Sequence, residues 1–328
     1  MNNQNLIGKG IKSIQEGRIN FLLFGFIFYF ISLKNRIIEN IKYSLLRLKE
    51  GKSKFFKVRV NNSLMYLDSK DKGISKELYI HKKREFFTTD FFKKFINKDD
   101  IVIDIGANIG YYALLEARMA SQGKVYALEP DPKNNKLLNS NVDLNNYENI
   151  KIFPYAVGNK NGKEKIYIGN KSNWSSFTKN PNYKITNEAE VPIIKLDSFI
   201  DKYLKKNPKF IRMDVEGYEL NILKSMSELL ESNSPLKLQI EIHPSWLNLI
   251  SKKDLSELLD ILKRNNFKVK AIFLEVYPYN YESIKTINLL RKIFGLQKMG
   301  FAGDTYEKLE LLLSFEDIYT PNVFFERN

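Results

Sequence analysis

Residues 99–132 are the segment that most constrains the fold of this chain. A β-branched run at 101–103 is followed by Asp104, two glycines and a helical apolar pattern, and a second strand-like run at 124–128 ends in Glu129. Strand, glycine-rich turn, helix and strand together make one half of a nucleotide-binding α/β unit. We therefore expect an α/β domain that starts near residue 99.

The turn of this segment carries Gly106 and Gly110 in the spacing D-x-G-x-x-x-G, which differs from the dinucleotide pattern G-x-G-x-x-G. Glycine permits positive φ and a close approach of ligand to backbone. Because Asp104 would repel an anionic pyrophosphate, a cationic ligand such as S-adenosylmethionine fits this turn better. Glu129 is then placed to accept hydrogen bonds from both ribose hydroxyls of this ligand. A turn that binds another ligand, or none, is the alternative.

Composition excludes several classes of site. The chain has 328 residues, of which 43% are hydrophobic, and this is enough for a sizeable core. It contains no cysteine, so disulfides, thiolate metal sites and a cysteine nucleophile are excluded. This composition is compatible with a reducing cytosol, and we expect a cytoplasmic protein.

The net charge of +14 is concentrated in the N-terminal third. Residues 1–100 contain 21 Lys+Arg and 10 Asp+Glu, whereas the remainder contains 31 and 28. A nucleic-acid substrate would need a basic face around the active cleft, so no nucleic-acid partner is expected. The basic excess instead suggests that the N-terminal part meets an anionic surface.

The N-terminal part combines an apolar run with a basic helical pattern. Residues 21–33 are the most apolar run of the chain, but they are too short for an ordinary membrane span, and no small-residue cleavage site of a signal peptide follows them. Residues 34–49 place isoleucines and leucines on one helical face. Residues 21–49 therefore predict peripheral membrane association. The alternative is a helical hairpin packed on the chain's own catalytic domain.

The pattern along the chain predicts three regions: a basic extension at 1–54, a cap of hairpin and helix at 55–98, and the main domain at 99–328. The predicted elements are a hairpin at 55–67 that turns at Asn61-Asn62, helices at 77–96, 133–146 and 255–262, and strands at 151–157, 236–242, 267–274 and 322–326. An insertion at 159–200 carries strand patterns at 162–169 and 190–199 around a polar loop with Trp174, Ser175 and Ser176. That loop either covers the cleft, as a lid or substrate-binding loop, or extends the sheet edge.

A second informative stretch, KFIRMDVEGYELNILKSM, occupies residues 209–226. A strand at 210–213 is followed by Asp214 and Glu216, and Gly217 opens a helix. In open α/β sheets ligands bind at the carboxyl ends of the strands, so both acids are expected beside the cleft.

Five segments in this order resemble the FkbM-type family of S-adenosylmethionine-dependent methyltransferases: DIGANIGYYAL, ALEPDP, AVG, KLDSFI and RMDVEGYELNIL. The resemblance covers roughly residues 85–328, and Arg212 stands where the family usually has another residue. It implies a Rossmann-like class I methyltransferase fold, with a seven-stranded, mostly parallel sheet, an antiparallel last strand and helices on both faces. It also implies methyl transfer, typically to a hydroxyl oxygen of a sugar or natural product.

The candidate site residues follow from the two motifs. Those expected to bind the cofactor are Asp104, Gly106, Ala107, Asn108, Gly110, Glu129 and, near the adenine, Ala156. Those expected near the transferred methyl are Asp214, Glu216 and His243. Either acid could act as general base or hold the acceptor hydroxyl. The alternative is that they only stabilise the helix dipole, which is the role assigned to Glu219.

His243 follows the predicted fifth strand, with Glu241 two residues before it. In an extended strand these two side chains share a face, so the pair could serve as base and orienting group. A structural histidine before Pro244 is the alternative. The residue types would suit a hard divalent cation, but no compact ligand spacing is present, and no metal is expected.

The sequence thus predicts a methyltransferase that uses S-adenosylmethionine to methylate a hydroxyl of a sugar, glycan or small natural product. A lipid-linked acceptor would explain the apolar N-terminal segment. The alternatives are a catalytically inactive scaffold protein of the same fold at the membrane surface, a nicotinamide-dependent oxidoreductase and a nucleic-acid methyltransferase.

Overall fold

The structure is a computed structural model that describes residues 33–34, 37–45, 48, 54–179, 184–244, 246–247, 253–274, 301–313 and 320–327. The chain divides into two units, one of residues 1–49 and 276–301 and the other of residues 50–275 and 302–328. Each predicted site residue belongs to the second unit.

An eight-stranded sheet forms the centre of the second unit. Its strands, in spatial order, are β13 (Phe301–Gly303), β12 (Lys268–Phe273), β14 (Asn322–Arg327), β11 (Leu236–Glu241), β10 (Phe210–Met213), β3 (Ile101–Ile105), β4 (Lys124–Leu128) and β5 (Ile150–Phe153). The five strands from β11 to β5 pair in parallel, and β14 runs antiparallel between β11 and β12. Seven of these strands confirm the predicted Rossmann-like sheet, and β13 is an additional edge strand.

Helices cover both faces of this sheet, and its strands are therefore buried on both sides. The helices are α1 (Ile74–His81), α2 (Phe86–Phe95), α3 (Tyr111–Met119), α4 (Pro132–Asp143), α5 (Leu196–Tyr203), α6 (Glu219–Lys224), α7 (Ser227–Glu231), α8 (Asp254–Arg264) and α9 (Tyr306–Leu313). Within β3, Ile103 packs in a core with α5 to α9, and its neighbour Val102 packs in a second core with α1 to α4. This alternation sends Asp104 to the same face as Val102.

The predicted hairpin is confirmed by β1 (Phe55–Val60) and β2 (Ser63–Asp68). Its turn residues Asn61 and Asn62 both have positive φ, 44° and 71°, as a two-residue hairpin turn requires. The single helix expected at 77–96 is wrong. Its range is divided between α1 and α2 because Lys82 and Glu85 adopt left-handed backbone conformations between them.

Two other boundaries differ from the prediction. The strand expected at 151–157 stops at Phe153, because Pro154 has no N–H to continue the ladder, and β6 (Ala156–Val157) joins another sheet. The strand expected at 190–199 ends at Ile194, and the LDSF segment starts α5. The second sheet has the order β6, β9 (Ile185–Ile194), β7 (Gly162–Gly169), β8 (Ser175–Ser176). The insertion therefore forms a sheet of its own and does not extend the edge of the main sheet.

In the first unit, residues 37–45 are helical, as the pattern at 34–49 predicts. Ile37, Ile41 and Leu45 are exposed on this helix. Residues 21–32, which carry most of the apolar run, lie outside the described residues. Across the described ranges, no helix is both long and apolar enough to span a bilayer.

We expect Phe92→Ala in α2 to lower the free energy of unfolding by about 3–5 kcal/mol, because it empties a fully buried ring site. The Phe92 ring lies 5.0 Å from Tyr112, 5.1 Å from Phe210 and 5.7 Å from Phe324, measured between centroids. Urea denaturation measures the change. Phe55→Ala, at an exposed phenylalanine, is the matched control and should cost far less. Equal losses in both variants would contradict the packing described here.

Candidate active site

A cavity opens at the carboxyl ends of β3, β4 and β10 and beneath the second sheet. The predicted residues that line it are Gly106, Asn108, Glu129, Ala156, Asp214 and Glu216. The lining also includes Tyr155, Ser172 and Phe177, which no motif indicated, together with Ser176 of the insertion loop and Tyr218 of the second motif.

Glu129 lies in the wall of this cavity and is only 4% exposed. Its Oε2 accepts the backbone N–H of Asn108 at 2.7 Å, and its Oε1 accepts that of Asp131 at 2.9 Å. These two hydrogen bonds fix the group in place. Because each carboxylate oxygen has further lone pairs, it can still accept hydrogen bonds from a ligand. Burial raises the pKa of Glu129 to about 8.

The glycine-rich turn brings the ends of β3 and β10 into contact. Gly106 has a φ of +82°, and a Cβ there would lie 2.0 Å from the backbone oxygen of Asp214. Gly110 has a φ of +96° and faces Leu138 of α4, where a Cβ would lie 2.7 Å from the leucine Cδ1. Gly106 therefore permits the approach of two site loops. Gly110 allows α3 to start against α4 and does not line the cavity.

Asp104 and Ala107 are also absent from the cavity wall. Asp104 was expected to face the cationic cofactor, but it is fully buried in β3, where its Oδ1 accepts from Arg212 NH1 at 3.1 Å. Ala107 is buried, and its N–H donates to the carbonyl of Leu128. Both residues support the turn from behind the cavity.

Arg212 connects three elements beneath the site. Its NH2 donates to Asp214 Oδ2 at 2.7 Å, its NH1 contacts Asp104, and its Cζ lies 4.1 Å from the centroid of the Tyr112 ring. Burial alone would oppose the charge, but the two carboxylates raise the pKa of Arg212. Arg212 in turn outweighs the burial of Asp214 and lowers the pKa of that carboxyl.

The polar loop of the insertion covers the cavity. The Ser172 carbonyl accepts from the side-chain amides of Asn108 and Asn134, at 2.9 and 2.8 Å. The Ser172 hydroxyl donates to Asp71 at 2.7 Å. Ser176 Oγ donates to the backbone oxygen of Glu216 at 3.0 Å. The loop is thus tied to the glycine-rich turn, to α4 and to the turn after β10, which favours the lid alternative.

Asp214, Glu216 and His243 come together although 29 residues separate the first from the last in sequence. Asp214 and Glu216 follow β10, and His243 follows the neighbouring parallel strand β11. One potential ligand atom from each lies within 4.8 Å of the others. Asp214 and Glu216 line the cavity, so this group stands at its margin.

Glu219, and not Glu241, orients the imidazole. His243 Nδ1 lies 2.6 Å from Glu219 Oε1, whereas His243 Nε2 lies 3.9 Å from Glu241 Oε1. Glu219 lies in the first turn of α6, as the helix-dipole role expected for it requires, and its carboxylate also binds His243. No sequence signal indicated this pair, because the contact depends on how α6 packs beside β11.

The electrostatics of this group are dominated by buried carboxylates. Burial raises the pKa of Glu216 to about 7, and it raises that of Glu241 well above its ordinary value. Burial opposes a charge on His243, but Glu216 and Glu219 outweigh it and raise the pKa of His243 well above the usual value. The group therefore attracts positive charge strongly.

Comparison with known proteins identifies the family of this chain. The family model described as the methyltransferase FkbM domain matches residues 104–269, half of the chain. The protein is thus of the methyltransferase class, and it belongs to the FkbM family, whose methyl donor is S-adenosylmethionine.

Two curated relatives and one solved structure illustrate the likeness. The hexuronic acid methyltransferase AglP of Haloferax volcanii is 27% identical over 168 residues, which are 51% of this chain and 64% of AglP. The ribosomal protein L11 methyltransferase of Thermoanaerobacter pseudethanolicus is 25% identical over 166 residues, 50% of this chain and 46% of that protein. The chain thus spans less than two thirds of either relative. The crystal structure of M. jannaschii TYW2 in complex with AdoMet matches with a TM-score of 0.39 and 13% identity, over 85% of this chain and 89% of that one.

We expect Arg212→Met to lower the free energy of unfolding by about 3–5 kcal/mol, because it leaves the buried Asp104 and the half-buried Asp214 without their cation. Urea denaturation followed by circular dichroism measures the loss. Arg264→Met, at an exposed arginine of α8, should change stability by less than about 0.5 kcal/mol. A mild effect at both positions would show that the buried ion pairs do not stabilise this fold.

Proposed function

We propose that the protein is an S-adenosylmethionine-dependent O-methyltransferase whose acceptor is a hydroxyl of a sugar, glycan or small natural product. One observation carries the proposal: Glu129 and the acids Asp214 and Glu216 line a single cavity. A carboxylate suited to ribose hydroxyls and a proton-accepting group therefore face the same space. The hexuronic acid acceptor named for AglP supports a sugar.

The proposed reaction is an in-line displacement at the methyl carbon. The acceptor oxygen forms a bond to this carbon, the bond from carbon to sulfur breaks, and the sulfonium becomes a neutral thioether. The leaving group is already good, so the protein must mainly align the two reactants and remove the hydroxyl proton. We assign the binding of the hydroxyl and the uptake of its proton to the group of Asp214, Glu216 and His243.

The cofactor is expected to lie across the cavity in one orientation. Glu129 would accept the ribose hydroxyls through the lone pairs that Asn108 and Asp131 leave free. Ala156 lies beside two aromatic rings, Phe177 and Tyr218, whose centroids are 4.6 Å apart. These apolar surfaces suit an adenine ring. The methyl group would then point toward the turn of Asp214 and Glu216.

We expect Glu129→Gln to weaken S-adenosylmethionine binding at least tenfold, because the amide has one acceptor oxygen instead of two and its NH2 group would meet the backbone N–H of Asn108 or Asp131. Isothermal titration calorimetry of both proteins measures the difference. Glu148→Gln, an exposed glutamate before β5, is the matched control and should bind as the wild type does. Equal affinity in all three proteins would remove Glu129 from the cofactor site.

The acceptor is tested by incubating the protein with radiolabelled S-adenosylmethionine and panels of free sugars, uronic acids, lipid-linked sugars and RNA. We expect label in an alkali-stable ether of a sugar, and none in RNA. Labelled RNA would support the nucleic-acid alternative and overturn the expected exclusion. Cofactor binding without transfer to any acceptor in the panels would favour the scaffold alternative.

Cytoplasmic location and peripheral membrane association through residues 21–49 remain proposals. The exposed Ile37, Ile41 and Leu45 support the membrane association.

A further inference from the structure

The group formed by Asp214, Glu216 and His243 has side-chain atoms that make no hydrogen bond with the described residues. Asp214 Oδ2 is bound to Arg212, but its Oδ1 has no hydrogen-bond partner among the described residues. The Glu216 carboxylate makes no hydrogen bond within the described chain, and its nearest charged partner is His243 Nε2 at 3.7 Å. These oxygens therefore face a gap at the margin of the cavity.

His243 supplies an independent observation. The residue is 4% exposed, and Glu219 occupies its Nδ1. Its Nε2 points toward the gap between Glu216 and Glu241, at 3.7 and 3.9 Å, beyond hydrogen-bond distance of both carboxylates. Nε2 therefore makes no hydrogen bond in the described structure and is available to bind a further group. Anchoring of the other ring nitrogen by a carboxylate is the usual support of a metal-binding histidine.

The balance of charge around the gap is negative. Asp214, Glu216, Glu219 and Glu241 surround it. Of the two guanidinium groups that act on these acids, Arg212 is shared between Asp214 and Asp104, and Arg84 is paired with Glu77 and Glu85. Ligands on opposite sides of a divalent cation with bonds of 2.0–2.3 Å are roughly 4–4.6 Å apart. At most one pair of three ligands can lie on opposite sides, and neighbouring ligands are roughly 2.8–3.3 Å apart. The separations of up to 4.8 Å must therefore close by up to about 2 Å when a cation binds.

We propose that Asp214, Glu216 and His243 form a site for one divalent cation of the Mg²⁺ or Mn²⁺ type. Two carboxylates and one imidazole suit such a cation, and water or acceptor oxygens would complete its coordination. Glu219 acts as a positioning residue through Nδ1 of His243. This reverses the expectation from the sequence that no metal binds.

The site deepens the proposed function and rests on it for its catalytic consequence. A cation there would lower the pKa of a bound acceptor hydroxyl and hold its oxygen toward the methyl group. It would favour acceptors with a second oxygen next to the reactive hydroxyl, such as a vicinal diol or a hydroxy acid, because these chelate the cation. The hydroxyl proton would pass to a carboxylate oxygen of Asp214 or Glu216, which line the cavity, as the bond from carbon to sulfur breaks.

For the test, the full-length protein is first freed of metal with EDTA and is then titrated with Mn²⁺ alone. Electron paramagnetic resonance measures the concentration of free Mn²⁺. We expect one equivalent of Mn²⁺ to bind at micromolar concentrations and Mg²⁺ to displace it. Glu216→Gln and His243→Gln should weaken binding at least tenfold, and Glu219→Gln should do so by about 10–100-fold. Glu257→Gln, at an exposed carboxylate of α8, should leave binding unchanged.

Circular dichroism identifies any variant that fails to fold, and the wild type decides the question by itself. Absence of Mn²⁺ binding by the wild type at millimolar concentrations overturns the cation site, as does equal binding by the folded ligand variants. Calorimetry with S-adenosylmethionine in EDTA separates the two proposals. Cofactor binding without Mn²⁺ binding refutes the cation site and leaves the proposed function standing, whereas a folded protein that binds neither contradicts both.

Discussion

The arrangement of the site depends on the contacts that the buried guanidinium of Arg212 makes. It joins Asp104 of β3 to Asp214 after β10 and stacks on Tyr112 of α3, so the two motif strands and the first helix of the domain share one cation. Removing such charges from water is expensive, and the close pairing offsets that cost. As a consequence, one oxygen of Asp214 is fixed on Arg212 and the other faces the cavity margin.

Carboxylates in this site acquire different roles from their surroundings. Glu129 is held by two backbone N–H groups and offers its remaining lone pairs to a neutral ligand group. Asp104 is committed to an ion pair, and Glu219 to an imidazole. The carboxylate of Glu216 makes no hydrogen bond in the described structure, and burial raises its pKa to about 7. At one end of the sheet, the same functional group thus provides an acceptor facing the cavity, an ion pair, a partner for an imidazole and a carboxylate without a hydrogen bond in the described structure.

Much of the fold was predictable because its signals are local. The bounds of β4, β7 and β10 and the Asn61-Asn62 turn agree with the sequence patterns, since strand periodicity and turn chemistry depend on neighbouring residues. The errors occurred where local signals conflict. Pro154 interrupts an otherwise strand-like run, and left-handed residues at 82 and 85 divide a helical pattern. The placement of the insertion loop over the cavity depends on contacts with Asp71, Asn108 and Asn134, which are distant in sequence.

The sequence by itself determined the family, the sheet and the segments that carry the site, because the spacing of glycines and acids around strand ends is a local property. Only the tertiary structure decided which of those residues face the cavity. In the structure, Asp104 lies behind the turn and Gly110 packs against α4. Glu219, and not Glu241, is the partner of His243. The physical reason is that a side chain's partner is set by the packing of neighbouring strands and helices, and this packing brings together residues that no spacing along the chain relates.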